Sequence, residues 1–202
     1  MDAQPTLILA SASPRRAQIL RDAGIAFEII APSVEEIALP GESAEEMVLR
    51  LAEAKARAAA GSLSKRERQV FVLGADTTVV AGGDGATILG KPESAEDAAR
   101  MLRMLSGRTH RVLTGIAVVR LPDGECRSAV ESTSVTFADF GEDEIRSAIA
   151  SGEPLDKAGA YAIQGRAGKF VTRVAGSYSN VVGLPIERVC AILDEMGWSG
   201  NK

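Results

Sequence analysis

Residues 7–20 read LILASASPRRAQIL, and this stretch decides the fold class. Leu7-Ile8-Leu9-Ala10 is an apolar strand that runs straight into Ser13-Pro14, a cap and a first-position proline that start a helix. Strand, short loop and helix in direct succession are the beginning of an α/β arrangement. The same stretch poses an electrostatic problem. The N-terminal end of a helix carries partial positive charge, yet Arg15 and Arg16 sit in its first turn. Backbone N–H groups at such a helix start collect phosphate oxygens, and the planar guanidinium fork grips phosphate in two places. An anionic ligand near Arg15 and Arg16 would make the arrangement favourable; a capped helix with two solvated arginines is the plainer alternative.

Outward from this stretch the chain alternates helices with strands. Ser43 with Glu46 forms a capping box ahead of an Ala-rich helix that runs to Gly61. Ser94 with Asp97 starts another helix that closes at Gly107; Glu142 to Ala150 is a short one ended by Gly152; Pro185 begins the last, which ends at Gly197. Val70 to Val80 is a β-branched strand that returns through a Gly82-Gly83-Asp84-Gly85 turn into Thr87-Ile88-Leu89. Val112 to Leu121, the Pro122-Asp123-Gly124 turn and Cys126 to Phe137 make a long hairpin, and Phe170 to Val174 is a further strand. Hairpins mixed with strand–helix crossings predict an α/β fold with a mixed sheet. Residues 155–165 read as glycine-rich and non-helical, and residues 61–69 as a polar connection.

Bulk composition narrows the function. A chain of 202 residues, 46% of them hydrophobic, builds one substantial core, so one domain is expected. The net charge of −4 disfavours DNA and anionic membranes, so any anion site must be a local cluster of Arg and Lys. Cys126 and Cys190 lack a zinc or disulfide spacing and read as reduced thiols. No apolar run spans a bilayer and the start of the chain lacks a signal-peptide pattern, which predicts a cytoplasmic protein. His110 is the single histidine and no Gly-x-Ser-x-Gly occurs, which argues against a serine-hydrolase triad; His110 reads as structural or exposed.

Five further places carry candidate chemistry. Asp76, in Gly74-Ala75-Asp76-Thr77-Thr78, interrupts an otherwise apolar strand, and a buried carboxylate is costly unless it is paired or holds a cation. Lys55 falls on the apolar face of the Ala-rich helix, four residues after Leu51; alone it would be a snorkelling lysine. Lys91 is aimed by Pro92 at the end of a strand, or else marks a surface turn. Glu35-Glu36 form a solvated loop or supply a second carboxylate for magnesium, which takes one or two carboxylates plus substrate phosphate. Gln164 carries both a donor and an acceptor and suits a base edge, or a loop amide satisfying backbone.

Taken in order, the segments Ser11–Arg16, Val34-Glu35-Glu36, Ala54-Lys55-Ala56, Gly74–Thr77, Gly90-Lys91-Pro92, Asp156–Tyr161, Ile163-Gln164-Gly165 and Gly176–Pro185 resemble the Maf family of nucleoside triphosphate pyrophosphatases, nearly end to end. The resemblance implies an elongated mixed β-sheet with flanking helices, similar to that of the inosine triphosphate pyrophosphatases. It implies a single domain, residues 1–202, with two lobes around a central cleft. It implies cleavage of a nucleoside triphosphate to the monophosphate and pyrophosphate with a divalent cation, Mg²⁺ or Mn²⁺. Asp76 matches the family's proton acceptor and, with Glu36, would hold the metal. Arg15, Thr77 and Gln164 match positions tied to base choice, and Ser11, Arg16, Lys55 and Lys91 match polar cleft residues that bind substrate. The branch that prefers methylated GTP tends to carry Trp at the position of Arg15, Gln at that of Thr77 and Glu-Gly at Gln164-Gly165. This chain resembles the dTTP and UTP pyrophosphatases instead. A nucleic-acid polymer and a membrane are not expected partners, and a homodimer follows from the family alone. A non-catalytic nucleotide-binding regulator of cell division, or a methylated-GTP pyrophosphatase, are the alternative readings.

Overall fold

A computed structural model describes residues 6–63, 69–82 and 86–200. The middle of the polar 61–69 connection and positions 83–85 of the glycine turn lie outside the described residues. Seven strands form one sheet: β1 (Thr6–Leu9), β2 (Glu28–Ile29), β3 (Val70–Ala81), β4 (Thr87–Leu89), β5 (Thr109–Leu121), β6 (Cys126–Phe137) and β7 (Val171–Ala175). The order is β2-β1-β3-β5-β6-β7, with β4 paired to β3. β1 lies parallel to both β2 and β3, whereas β3–β4 and β6–β7 are antiparallel, so the sheet is mixed as the sequence predicts. The helices are α1 (Pro14–Asp22), α2 (Ala44–Gly61), α3 (Ala95–Leu105), α4 (Glu142–Ala150), α5 (Tyr178–Val182) and α6 (Ile186–Glu195).

The chain divides into two compact units. The first comprises Met1–Asp76, Thr114–Glu131 and Gly183–Lys202. β1, β3 and the central part of β5 are buried on both faces, which is why they read as continuous apolar runs rather than alternating ones, whereas β2 and the first half of β6 are largely exposed or half-buried. Leu7, Leu9, Phe71, Leu73, Ala75, Ile116 and Val118 pack with Ala17 and Leu20 of α1 and Val189, Ile192 and Leu193 of α6. The alternate residues, Ile8, Ala10, Val70, Val72, Ala117 and Val119, pack with Ala52, Ala56 and Ala59 of α2. Strand periodicity therefore puts α1 and α6 on one face and α2 on the other. The Ser43 capping box forms as expected: the Ser43 hydroxyl accepts from Glu46 N, and the Glu46 carboxylate accepts from Ser43 N. Such a cap contributes about 1 kcal/mol.

The second unit comprises Thr77–Leu113 and Ser132–Val182. Leu89, Leu102, Leu105, Val135, Phe137 and Ile145 form its core, over which α3 and α4 lie. Here the structure departs from the sequence expectation. Residues 155–165 are not free of helix: 3₁₀ turns form at Glu153–Asp156 and Ala158–Ala160, and another follows at Arg166–Phe170. Gly152, in the left-handed region, precedes the first of these turns and Gly159, also left-handed, kinks the second, and runs this short have no periodicity to read. The helix α5 is missed for the same reason. β5 begins at Thr109, three residues before the expected start, and β7 lies one residue further along than expected.

That earlier start of β5 buries His110. Its Nε2 shares a 2.7 Å hydrogen bond with the Tyr161 hydroxyl, and its ring stands edge-on to Phe137 and Tyr161. Burial lowers its pKa from 6.5 to about 4. The unfolded chain therefore takes up a proton at a pH where the folded chain does not. Stability is full above the unfolded value and is lost as pH falls toward the folded value. Between pH 7 and pH 5 the protein is expected to lose about 2 kcal/mol through this group. Urea unfolding at both pH values checks this, because His110→Gln removes that increment.

Candidate active site

In the first unit, β1 ends at Leu9, where Ala10 N still donates to Leu73 O at 2.8 Å. Beyond this point the chain turns into α1. Ser11 is buried, and its hydroxyl accepts from Ser13 N at 3.2 Å and from Arg16 Nη1 at 3.2 Å. Arg16 Nη1 also donates to Ala75 O at 2.9 Å, and its Nε donates to Gly183 O at 2.8 Å. One guanidinium thus ties the start of α1 to the β3 carbonyl that β1 no longer reaches and to the segment before α6. Desolvation lowers the Arg16 pKa, opposed by the negative charges of Asp76 and Glu36.

The two first-turn arginines therefore differ. The sequence assigns both to an anionic ligand, but much of the Arg16 fork is taken up by backbone carbonyls. The Arg15 side chain makes no hydrogen bond or ion pair among the described residues. Arg16 has the geometry of a bracket, and Arg15 is a cation whose side-chain donors go unused among the described residues.

One residue after the bracketed carbonyl, Asp76 points to the α2 face of β3. It is 8% exposed. Its Oδ1 accepts from Lys55 Nζ at 2.6 Å, and the same ammonium meets Glu36 Oε1 at 2.5 Å. Lys55 is 8% exposed as well, so the snorkelling alternative does not hold. Its stem follows the apolar face of α2 and its charge is spent on two carboxylates. Burial raises the Asp76 pKa above the ordinary range and Glu36 adds to this, while Lys55 and Arg16 pull it down.

Two glycines make this reach feasible. A Cβ at Gly74 would lie 2.2 Å from Ala52 O and 2.7 Å from Ala56 N, and one at Gly115 would lie 2.2 Å from Val48 O. The backbone of α2 rests directly on the strands at these two points. Glycine inside a strand signals such a close approach, a cue at Gly74 and Gly115 that pattern reading passed over.

Glu36 is exposed and stands in an irregular segment between β2 and α2. Its neighbours are held by a network that the sequence reading missed. Arg50 Nε and Nη2 bind the two carboxylate oxygens of Glu42 at 2.5 and 2.7 Å, and Nη2 also donates to Ile37 O at 2.9 Å. Spacing gave no warning of this pair, because Glu42 lies outside the helix and is not a helical neighbour of Arg50.

The remaining sequence-predicted residues belong to the second unit. Thr77 follows Asp76 in β3 and is half-buried; Lys91 is exposed just after β4; Gln164 is exposed in the turn before Arg166–Phe170. Ser11, Arg15, Arg16, Glu36, Lys55 and Asp76 are all in the first unit.

Among the described residues, no group of three or more His, Cys, Asp and Glu could hold a metal ion. Asp76 and Glu36 nevertheless converge on one cation, the Lys55 ammonium. Two carboxylates completed by phosphate oxygens are a donor set that suits Mg²⁺ or Mn²⁺. The residues present fit such an ion. Also among the described residues, no helix is long and apolar enough to cross a membrane.

A mixed α/β sheet whose buried Asp76 and Lys55 meet the exposed Glu36 defines the class, and comparison with known proteins agrees with it. The family described as Maf-like protein matches residues 6–196, and the chain belongs to that family. A dTTP/UTP pyrophosphatase of Anaeromyxobacter dehalogenans is 50% identical over 196 residues, 96% of this chain and 95% of that protein. Another, from Geotalea uraniireducens, is 50% identical over 198 residues, 98% of each chain. A third, from a Geobacillus species, is 49% identical over 192 residues, 95% of this chain and 98% of that one. A solved dITP/XTP pyrophosphatase of Mycobacterium abscessus aligns over 95% of this chain and 94% of that chain, at 16% identity and a TM-score of 0.41.

Proposed function

We propose that this protein hydrolyses dTTP and UTP to the monophosphate and pyrophosphate. The observation that carries the reading is the buried Asp76 beside Lys55 and Glu36, in a chain about 50% identical to proteins named for that reaction. Water attacks the α-phosphorus; a new P–O bond forms, the bond to the bridging oxygen breaks, and pyrophosphate leaves. Asp76 accepts the proton of the attacking water. Its raised pKa suits that task better than an ordinary surface carboxylate would. Asp76 and Glu36 would hold a divalent cation, which when bound acidifies water and screens phosphate charge.

Arg15 and the N–H groups at the start of α1 bind phosphate oxygens. Arg16 and Ser11 brace Ala75 and so fix the direction of Asp76. Lys55, held between Asp76 and Glu36, balances charge on the leaving pyrophosphate, and Lys91 shares that role. Thr77 and Gln164, with Arg15, select the pyrimidine, because hydrogen-bonding groups left unpaired by a wrong base are costly. The two units are read as lobes of one domain, and the chain as a homodimer acting on the cytoplasmic nucleotide pool.

Pyrophosphate release from a panel of nucleoside triphosphates, with and without EDTA, tests the reading. Release from dTTP and UTP is expected, with purine nucleotides slower by about 10²-fold or more and no turnover in EDTA. Orthophosphate as the first product, or equal rates for all bases, would overturn it.

A further inference from the structure

The segment that carries Glu36 is held in place by polar contacts rather than by burial. Between β2 and α2 the chain has no regular structure over residues 30–39. Ile30 packs against the core at its start, but beyond Glu36 the large apolar side chains point outward: Ile37 is 57% exposed and Leu39 51%. Packing therefore does little to fix the backbone that carries Glu36. What does fix it is α2. Arg50, seven residues into that helix, donates to Ile37 O and grips both carboxylate oxygens of Glu42. Glu42 Oε2 accepts from Leu39 N at 3.0 Å, and Glu42 N donates back to Leu39 O at 3.1 Å. The loop is thereby closed on itself and bolted to the helix that also presents Lys55.

We infer that Arg50 and Glu42 form a positioning clamp that holds Glu36 where it can share a divalent cation with Asp76. The inference rests on the proposed reading of Glu36 and Asp76 as cation ligands. The fork geometry is specific: a lysine at position 50 offers one point charge in place of parallel donors to Glu42 and a third bond to Ile37 O. The hydrogen bonds from Arg50 lower the Glu42 pKa to about 2, so the Glu42 carboxylate stays charged at neutral pH. Partners of this kind, one step removed from a metal ligand, change metal affinity by 10–100-fold when lost.

The test is Mn²⁺ binding, followed by electron paramagnetic resonance in the presence of dTTP with a non-hydrolysable α,β-imido bridge. Arg50→Met is expected to weaken Mn²⁺ binding by about tenfold and Arg50→Lys by less. Glu36→Gln weakens it too, and adding Arg50→Met to Glu36→Gln costs nothing further. That non-additivity is what separates positioning of Glu36 from general loosening. Additive losses in the double variant, or unchanged binding in Arg50→Met, would overturn the clamp while leaving Glu36 a ligand. Unchanged binding in Glu36→Gln overturns the ligand reading itself, and the clamp with it. Should Arg50→Met fail to fold, Glu42→Gln opens the same clamp from its other side and carries the same expectations.

Discussion

Asp76→Asn is expected to lower kcat for dTTP by about 10³-fold while nucleotide binding stays within a few-fold of wild type. The amide keeps the shape of the carboxylate, so β3 is not disturbed, but it accepts no proton and is a poor cation ligand. Lys55 keeps Glu36 as a partner after the change, so the ammonium is not left alone. Single-turnover rates and equilibrium titration with the α,β-imido nucleotide separate the two quantities. Near-wild-type turnover would remove Asp76 from the chemistry. The direction of pH dependence gives a second readout on the same residue. Because burial raises the Asp76 pKa against the pull of Lys55 and Arg16, Lys55→Met should move the acid limb of the rate profile to higher pH.

Gly74→Ala carries the largest expected effect on stability. Its new methyl would sit 2.2 Å from Ala52 O and 2.7 Å from Ala56 N. These are backbone atoms of α2, not the ends of flexible side chains, so the helix itself must move. Overpacking of this kind costs about 3 kcal/mol, or roughly 10 °C in melting temperature for a domain of this size. Activity should fall with it, because α2 carries Lys55 and Arg50 and any lift from the sheet separates Lys55 from Asp76. Gly115→Ala meets Val48 O at the same distance and should behave alike. Gly61→Ala is the matched control. It lies in α2 with nothing within 4 Å of the added atom and should be neutral by thermal melt and by activity.

How much of this was legible beforehand differs from residue to residue. The starts of α1, α2 and α3 were readable because Ser13, Ser43 and Ser94 cap them through atoms three residues away. A local device leaves a local trace. Asp76 was readable as a buried charge because the strand around it is apolar, and the sequence implied a compensating partner. Which partner it was could not be read. Lys55 lies 21 residues away on another element, and its helical position alone suited a snorkelling lysine equally well.

Arg16 shows the opposite limit. Its place in the first turn beside Arg15 suggested one shared role, yet the two diverge because of where β1 stops pairing with β3. The Ala75 carbonyl exposed there needs a donor, and Arg16 is the side chain within reach. Nothing in the local pattern records that Gly183, 167 positions later, offers a second carbonyl to the same guanidinium.

By itself, then, the sequence determined the α/β alternation, the caps, the mixed sheet and the set of candidate polar residues, since each depends on periodicity or on contacts a few residues long. Tertiary structure alone decided that Lys55 is shared by Asp76 and Glu36, that Arg16 braces while Arg15 does not, and that Arg50 and Glu42 hold the Glu36 loop. Those outcomes depend on how closely α2 can approach the sheet over Gly74 and Gly115 and on which carbonyls the strand ends leave unpaired, and distances between remote segments are set only when the chain is packed.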